Sequence, residues 1–294
     1  MAAVTVVNCA GLVVSLLTVR MVALAVNYIY LFRDAGVNDA SGSVITGFKV
    51  NVFIQGTGLL TNNIRIFRNQ VAYIIPLASS ANWVIYNNII GGYVSAATVT
   101  NLFIQNNIFA GSYVVNCNLP SVFIDHNLFI HNGINALTTD SYAVITNNIF
   151  VTPAAAPVMA ANVNYNTITN NLSLTTNISP TAPTNSFLTG PNSGGANQVG
   201  VDPLFVNVPS FTAYNATYNY RLQAGSTGHN ASTDGTDLGI YGGSYPFPSG
   251  GIPGSGFDTS APAGIPQVTV VNILNGSVQP GGTLNVNAKA KVNN

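Results

Sequence analysis

The sequence predicts an all-β chain, a right-handed parallel β-helix (a β-solenoid) with a short C-terminal β-strand tail. Three observations predict it: a strand motif that recurs about once per solenoid coil, a composition of strand and turn formers, and very little charge. The 294 residues suffice for one elongated domain or two small ones. Apolar residues make up 47%, enough for a sizeable core, whereas charged residues are 5% against about 25% in an average globular protein. All eight acidic residues are Asp, and Asn alone supplies 39 positions. Such a composition favours strands and turns over helices.

The repeat is the first element. Its clearest copies are Trp83–Ile90, Leu102–Phe109, Val122–Phe129 and Ala143–Phe150, with an earlier copy at Ile64–Val71 and a degraded one at Asn166–Ser173. The shared Asn falls at Asn69, Asn88, Asn107, Asn127, Asn148 and Asn171, at intervals of 19, 19, 20, 21 and 23. An Ile precedes it by three every time, at Ile66, Ile85, Ile104, Ile124, Ile145 and Ile168. About 20 residues make one coil of three short strands and their turns, and coils stack at about 4.8 Å. Identical side chains then form columns, with Ile inside and Asn at a turn. Asn suits a turn because it tolerates the left-handed conformation and its amide bonds backbone or the next Asn of the stack. A sandwich of hairpins would show NG or DG loops at strand spacing, which are scarce here.

Upstream, Ile29–Asp34 echoes Ile64–Asn69 and suggests one more turn, with a longer excursion at 35–60. Residues 9–32 are strongly apolar, but Arg20 splits the run into halves too short to span a bilayer. They read as strands of the first coils, and no transmembrane segment is expected. The alternative, a signal-like segment, lacks a basic start. The solenoid is thus expected over 1–200 and a cap over 201–243. A Pro/Gly/Ser linker follows over 244–266 and a β-hairpin tail over 267–294. In that tail Gln267–Leu274 and Thr283–Ala290 read as strands. A lone hairpin is marginal in water, so the tail is expected to dock on its own solenoid or on a neighbouring chain.

The Asn-Asn-Ile-Phe turns resemble those of right-handed parallel β-helix proteins related to pectate lyases. Val201–Asn207, Tyr220–Ser226 and Thr233–Gly243 are similar to the closing segment of bacterial secreted members. The resemblance covers roughly residues 27–243 and implies the fold and an extracellular or cell-surface location. It leaves activity open, because the group mixes enzymes, binding proteins and structural proteins.

Val122–His126 is similar to the Val-Trp-Ile-Asp-His stretch of pectate lyases, which makes Asp125 and His126 the candidate catalytic pair. The calcium-binding carboxylate cluster and downstream Arg of that family are missing. Asp125 is the only acidic residue between Asp39 and Asp140, and no basic residue lies between Arg68 and Arg221. Proton abstraction needs a base and an electrophilic partner, and hydrolysis needs two acids at a set separation. Asp125 and Asp140 could supply the latter across neighbouring turns. Metal spacings, phosphate loops and nucleophile elbows are absent, and no metal or cofactor is implied. Cys9 and Cys117 form no framework, although one long-range bridge is open to them. In the cap, Arg221, Asp234 and Asp237 are expected to form an Arg–Asp lock.

Strand alternation sends the residue before each inward Ile outward. Val84, Phe103, Phe123 and Val144 then form an apolar outward stripe, a candidate interface together with Val268, Val270, Leu284 and Val286 of the tail. Zero net charge with no basic run excludes a nucleic-acid footprint and does little to keep molecules apart. The expected partners are copies of the chain itself, with a polysaccharide as the other class. Three functions are carried forward: a non-enzymatic extracellular structural protein that self-associates, a polysaccharide lyase or glycoside hydrolase, and a glycan-binding adhesin.

Overall fold

The computed structural model describes residues 3–6, 13–15, 26–33, 40–247 except 47, 96–97, 112, 118, 120, 131–134, 139 and 152–155, and then 267–273 and 286–291. It is all-β, a parallel β-solenoid built on two long sheets. The nine-stranded sheet stacks Val13–Ser15, Val44–Thr46, Ile64–Phe67, Ala81–Tyr86, Thr100–Gln105, Val122–Asp125, Val144–Thr146, Thr167–Thr169 and Ser193–Gly195. The twelve-stranded sheet carries the second half of each coil, including Gln70–Ile75, Ile89–Ser95, Ile108–Ala110, Leu128–Ile130, Ile149–Val151 and Leu172–Ser173.

The period dictates the register. Ile66, Ile85, Ile104, Ile124, Ile145 and Ile168 pair directly, turn on turn, and all are fully buried. Across the core, Phe109, Phe129 and Phe150 stack with centroids 4.4 and 4.8 Å apart. These separations repeat the strand spacing, so a column of like rings satisfies coil stacking and aromatic stacking at once.

The Asn-Asn pair divides its work, which departs from the expectation that the laddered Asn takes the left-handed conformation. The residue before it does: Arg68, Asn87, Asn106, His126, Asn147 and Asn170 have φ between 52° and 59°. The second Asn is buried and fully bonded. The Asn107 backbone N–H and Nδ2 both donate to Asn127 Oδ1, at 2.9 and 3.1 Å, and Nδ2 also donates to Ile85 O at 2.8 Å. The same pattern links Asn69 to Asn88 and runs on through Asn148 and Asn171 to Asn197. Above Asn69 the ladder stops, because Phe48 holds the equivalent position and donates only its backbone N–H.

The upstream echo is corrected. Val26–Arg33 belongs to the twelve-stranded sheet, where Ile29 pairs with Val4 and Ile54. The strand stacked on Ile64–Phe67 is Val44–Thr46, with Ile45 opposite Ile66. Both segments alternate apolar and aromatic residues, so the sequence pattern alone does not tell one sheet from the other.

The closing segment is also placed differently from an end cap. Residues 201–247 run back along the flank as a strap. Thr227 Oγ1 donates to Gln198, Thr233 meets Asn147, Gly242 meets Asn106 and the Tyr245 ring packs tilted on Tyr86 at 4.4 Å. The strap buries Phe205, Leu222, Leu238 and Ile240 on Ile89, Ile108, Leu128, Ile149 and Leu172 of the twelve-stranded sheet. That outward row is apolar, and burial of apolar area drives the docking. Farther on, Gln267–Ile273 and Val286–Lys291 pair antiparallel.

Candidate functional site

The strap lands on the left-handed row of the turn, and that row is where Asp125 and His126 sit. Asn106 Nδ2 donates to Ile240 O and Gly242 O, at 3.1 and 2.7 Å. Asn147 Nδ2 donates to Thr233 Oγ1, and its Oδ1 accepts from Thr233 N, both at 3.0 Å. Asn170 Nδ2 donates to Ala231 O. The first Asn of the pair therefore has two tasks, a backbone conformation that Gly could also supply and a side-chain amide that Gly lacks.

His126 takes this position in its turn and is 1% exposed. Asp125 Oδ2 lies 2.9 Å from His126 Nδ1 but off the hydrogen-bonding angle, and Asp234 Oδ1 lies 3.8 Å from Nε2. Thr236 Oγ1 is 3.5 Å from Nε2. Gly242 and Gly243 pass over the ring so closely that a β-carbon on either would sit 2.8 Å from an imidazole atom. Asp125 Oδ1 accepts from Thr146 Oγ1 and Asn147 Nδ2, both at 2.8 Å. Burial opposes ionisation of Asp234, but hydrogen bonds from Ser232 and Thr236, with the charge of His126, hold its carboxyl down at about 2. A general base must reach its proton, and this imidazole is roofed by backbone. In the structure His126 lies under Gly242 and Gly243 of the strap, and Asp125 bonds Thr146 and Asn147 beside it.

The other charged groups are placed as follows. The Arg–Asp lock is corrected: the Arg221 guanidinium lies 4.4 Å over the Tyr241 ring, while burial pushes the Tyr241 hydroxyl up to about 12. Asp237 accepts from Asn230 N at 2.9 Å and lies 2.7 Å from His229 Nδ1. Asp234 bonds Ser232 and Thr236. A delocalised guanidinium stacks well on an aromatic face, and the short strap loop already satisfies both carboxylates internally. Asp140 does not join Asp125. It is fully buried, accepts from Cys117 N and Thr138 N at 3.0 Å each, and is raised by burial to about 8. Burial also pushes the Cys117 thiol up. Cys9 lies outside the described residues. Among the described residues no three His, Cys or Asp side chains gather to hold a metal. No helix among them is long and apolar enough to cross a membrane.

The strap covers the twelve-stranded sheet and reaches the outward face of the other at Tyr86. On that face Val84, Phe103, Phe123 and Val144 pair turn on turn, each half-buried. The Phe103 and Phe123 rings stack at 4.9 Å and 6°. Val268, Val270 and Val286 lie on the C-terminal hairpin, and Leu284 lies outside the described residues. Sequence reasoning missed Asn197 at the foot of the ladder, where the interval stretches to 26 residues.

The fold and flank define a strapped parallel β-solenoid. Compared with known proteins, the chain matches no family model, no curated protein and no solved structure.

Proposed function

We propose that the chain is a non-enzymatic extracellular or cell-surface structural protein that self-associates, as a fibre or a surface layer. The observation that carries this reading is the row Val84, Phe103, Phe123 and Val144. It is apolar over four consecutive turns and lies outside the apolar cluster that the strap buries. A contiguous apolar row that stays half open to solvent is of the kind that marks an interaction surface. The C-terminal hairpin is the second contact, because two strands alone are marginal and gain stability by docking. Stacked coils repeat a similar apolar face, so one chain offers another a register at every turn. Kinship with the secreted bacterial pectate-lyase-like β-helix proteins belongs to the same reading, supported by Val122–His126 and by the segments within 201–243. Its non-enzymatic character is supported by the roofed imidazole of His126.

Light scattering and negative-stain microscopy of the full chain test the proposal. Assemblies should form and grow with concentration. Phe103→Ser/Phe123→Ser, or removal of 267–294, should reduce them. A monodisperse monomer at every concentration would end the reading, as would assembly indifferent to both changes.

A further inference from the structure

A second exposed row runs beside the apolar one, at the corner where each coil enters the nine-stranded sheet. It stacks Asn63, Asn82, Asn101, Ser121, Tyr142 and Tyr165. Asn101 Nδ2 donates to Asn82 Oδ1 at 3.0 Å, and Asn82 Nδ2 to Asn63 Oδ1 at 2.9 Å. Ser121 Oγ accepts from Asn101 N at 3.1 Å. The Tyr142 and Tyr165 rings lie nearly parallel, 5.3 Å apart at 12°. They are 50% and 57% exposed, among the most exposed large apolar side chains described.

Their backbone is the unusual part. Asn63, Asn82, Asn101, Tyr142 and Tyr165 have φ of 59°, 60°, 51°, 62° and 60°. Asn accepts this left-handed region readily, whereas a bulky side chain is strained there. Two adjacent turns thus keep Tyr where Asn fits better, and both rings face solvent. Packing does not account for that, and strain of this sort persists at sites that bind. From Ser141 to Val201 the chain has no charged residue. The row therefore combines an aromatic platform with amides and a hydroxyl, spread over about 24 Å at about 4.8 Å per turn.

We infer that this row binds a neutral glycan, with Tyr142 and Tyr165 as the stacking platform and the Asn63–Asn101 amides bonding its hydroxyls. The C–H faces of a sugar ring pack on an aromatic face, and each amide keeps donor and acceptor capacity toward solvent. The site is separate from the self-association row and does not depend on it.

The test is depletion of the full chain from solution by cellulose, by chitin and by insoluble starch, with immobilised polygalacturonate as the charged comparison. At least one neutral polysaccharide should retain the protein, and added salt should not release it. Tyr142→Asn/Tyr165→Asn should weaken retention by about tenfold or more. Because Asn relieves the backbone, the same variant should melt no lower than the wild type, which a purely structural ring pair would not allow. The inference fails if no neutral polysaccharide binds, if only polygalacturonate binds, or if the double variant binds as the wild type does. It fails equally if the double variant alters only the oligomeric state, since the rings would then pack on another copy.

Discussion

At the residue scale, the second Asn of each pair does work that no other side chain can copy. Asn127 accepts two bonds from Asn107, and its Nδ2 donates to Ile104 O at 2.8 Å. Asn127→Ala leaves a buried N–H and a buried carbonyl unpaired, which should lower unfolding stability by about 2–4 kcal/mol in denaturant titrations. Asn106→Gly keeps the left-handed backbone but leaves Ile240 O and Gly242 O of the strap without their donor, and should lower stability by about 1–3 kcal/mol. The ladder was legible because a strict period printed it in the sequence. The division of labour was not, because both tasks are written with the same letter. Asp140 makes a different residue-level prediction. Its carboxyl titrates near 3.8 when unfolded and near 8 when folded, raised by burial and partly offset by the Cys117 and Thr138 N–H groups. Between those values the unfolded chain loses the proton and the folded chain keeps it. Stability should therefore fall as pH rises from about 4 to about 8, and then level off. Melting curves across that range should show the slope for the wild type and none from this group in Asp140→Asn.

At the element scale, the strap is held by many weak contacts and one crowded crossing. A β-carbon on Gly242 would sit 1.8 Å from Asp237 O and 2.8 Å from the His126 ring. Gly242→Ala should therefore lift the strap locally while the ladder stays intact. Limited proteolysis should cut within 232–247 faster than in the wild type, and core amides should keep their protection from hydrogen exchange. His126→Asn should behave more mildly. Asn already occupies this position at Asn87, Asn106 and Asn147, so what changes is the approach to Asp125, Asp234 and Thr236 and the packing under Gly242 and Gly243. The strap's existence was legible as a closing segment, but its course was not. Its docking groups are carbonyls, single hydroxyls and glycines without a period, and its apolar anchors are spaced irregularly. The same limit explains the misplaced Ile29–Asp34 echo: apolar alternation marks a strand and is silent on which sheet receives it.

At the scale of the whole molecule, a solenoid is close to one-dimensional, and its stability is approximately a sum over neighbouring turns. A change that respects the period should then be tolerated even when it is large. Asn63 and Asn82 are equivalent, as are Ile64 and Trp83, and these turns are 19 residues apart. Removing residues 62–80 joins Thr61 to Ala81 and deletes one complete coil, with Asn69 leaving the ladder. The strap's ring contact at Tyr86 and its hydrogen bonds at Asn106 and Asn147 lie beyond the deletion. The shortened chain should fold cooperatively, with a β circular-dichroism spectrum and a modestly lower melting temperature. Removing one residue fewer should be far worse, because a slip of one flips every side chain of the strands it displaces. Inward Ile would turn to solvent, and the Asn ladder would lose register with Phe48 above it. If the two deletions melt alike, the turns are not the independent units that the repeat implies.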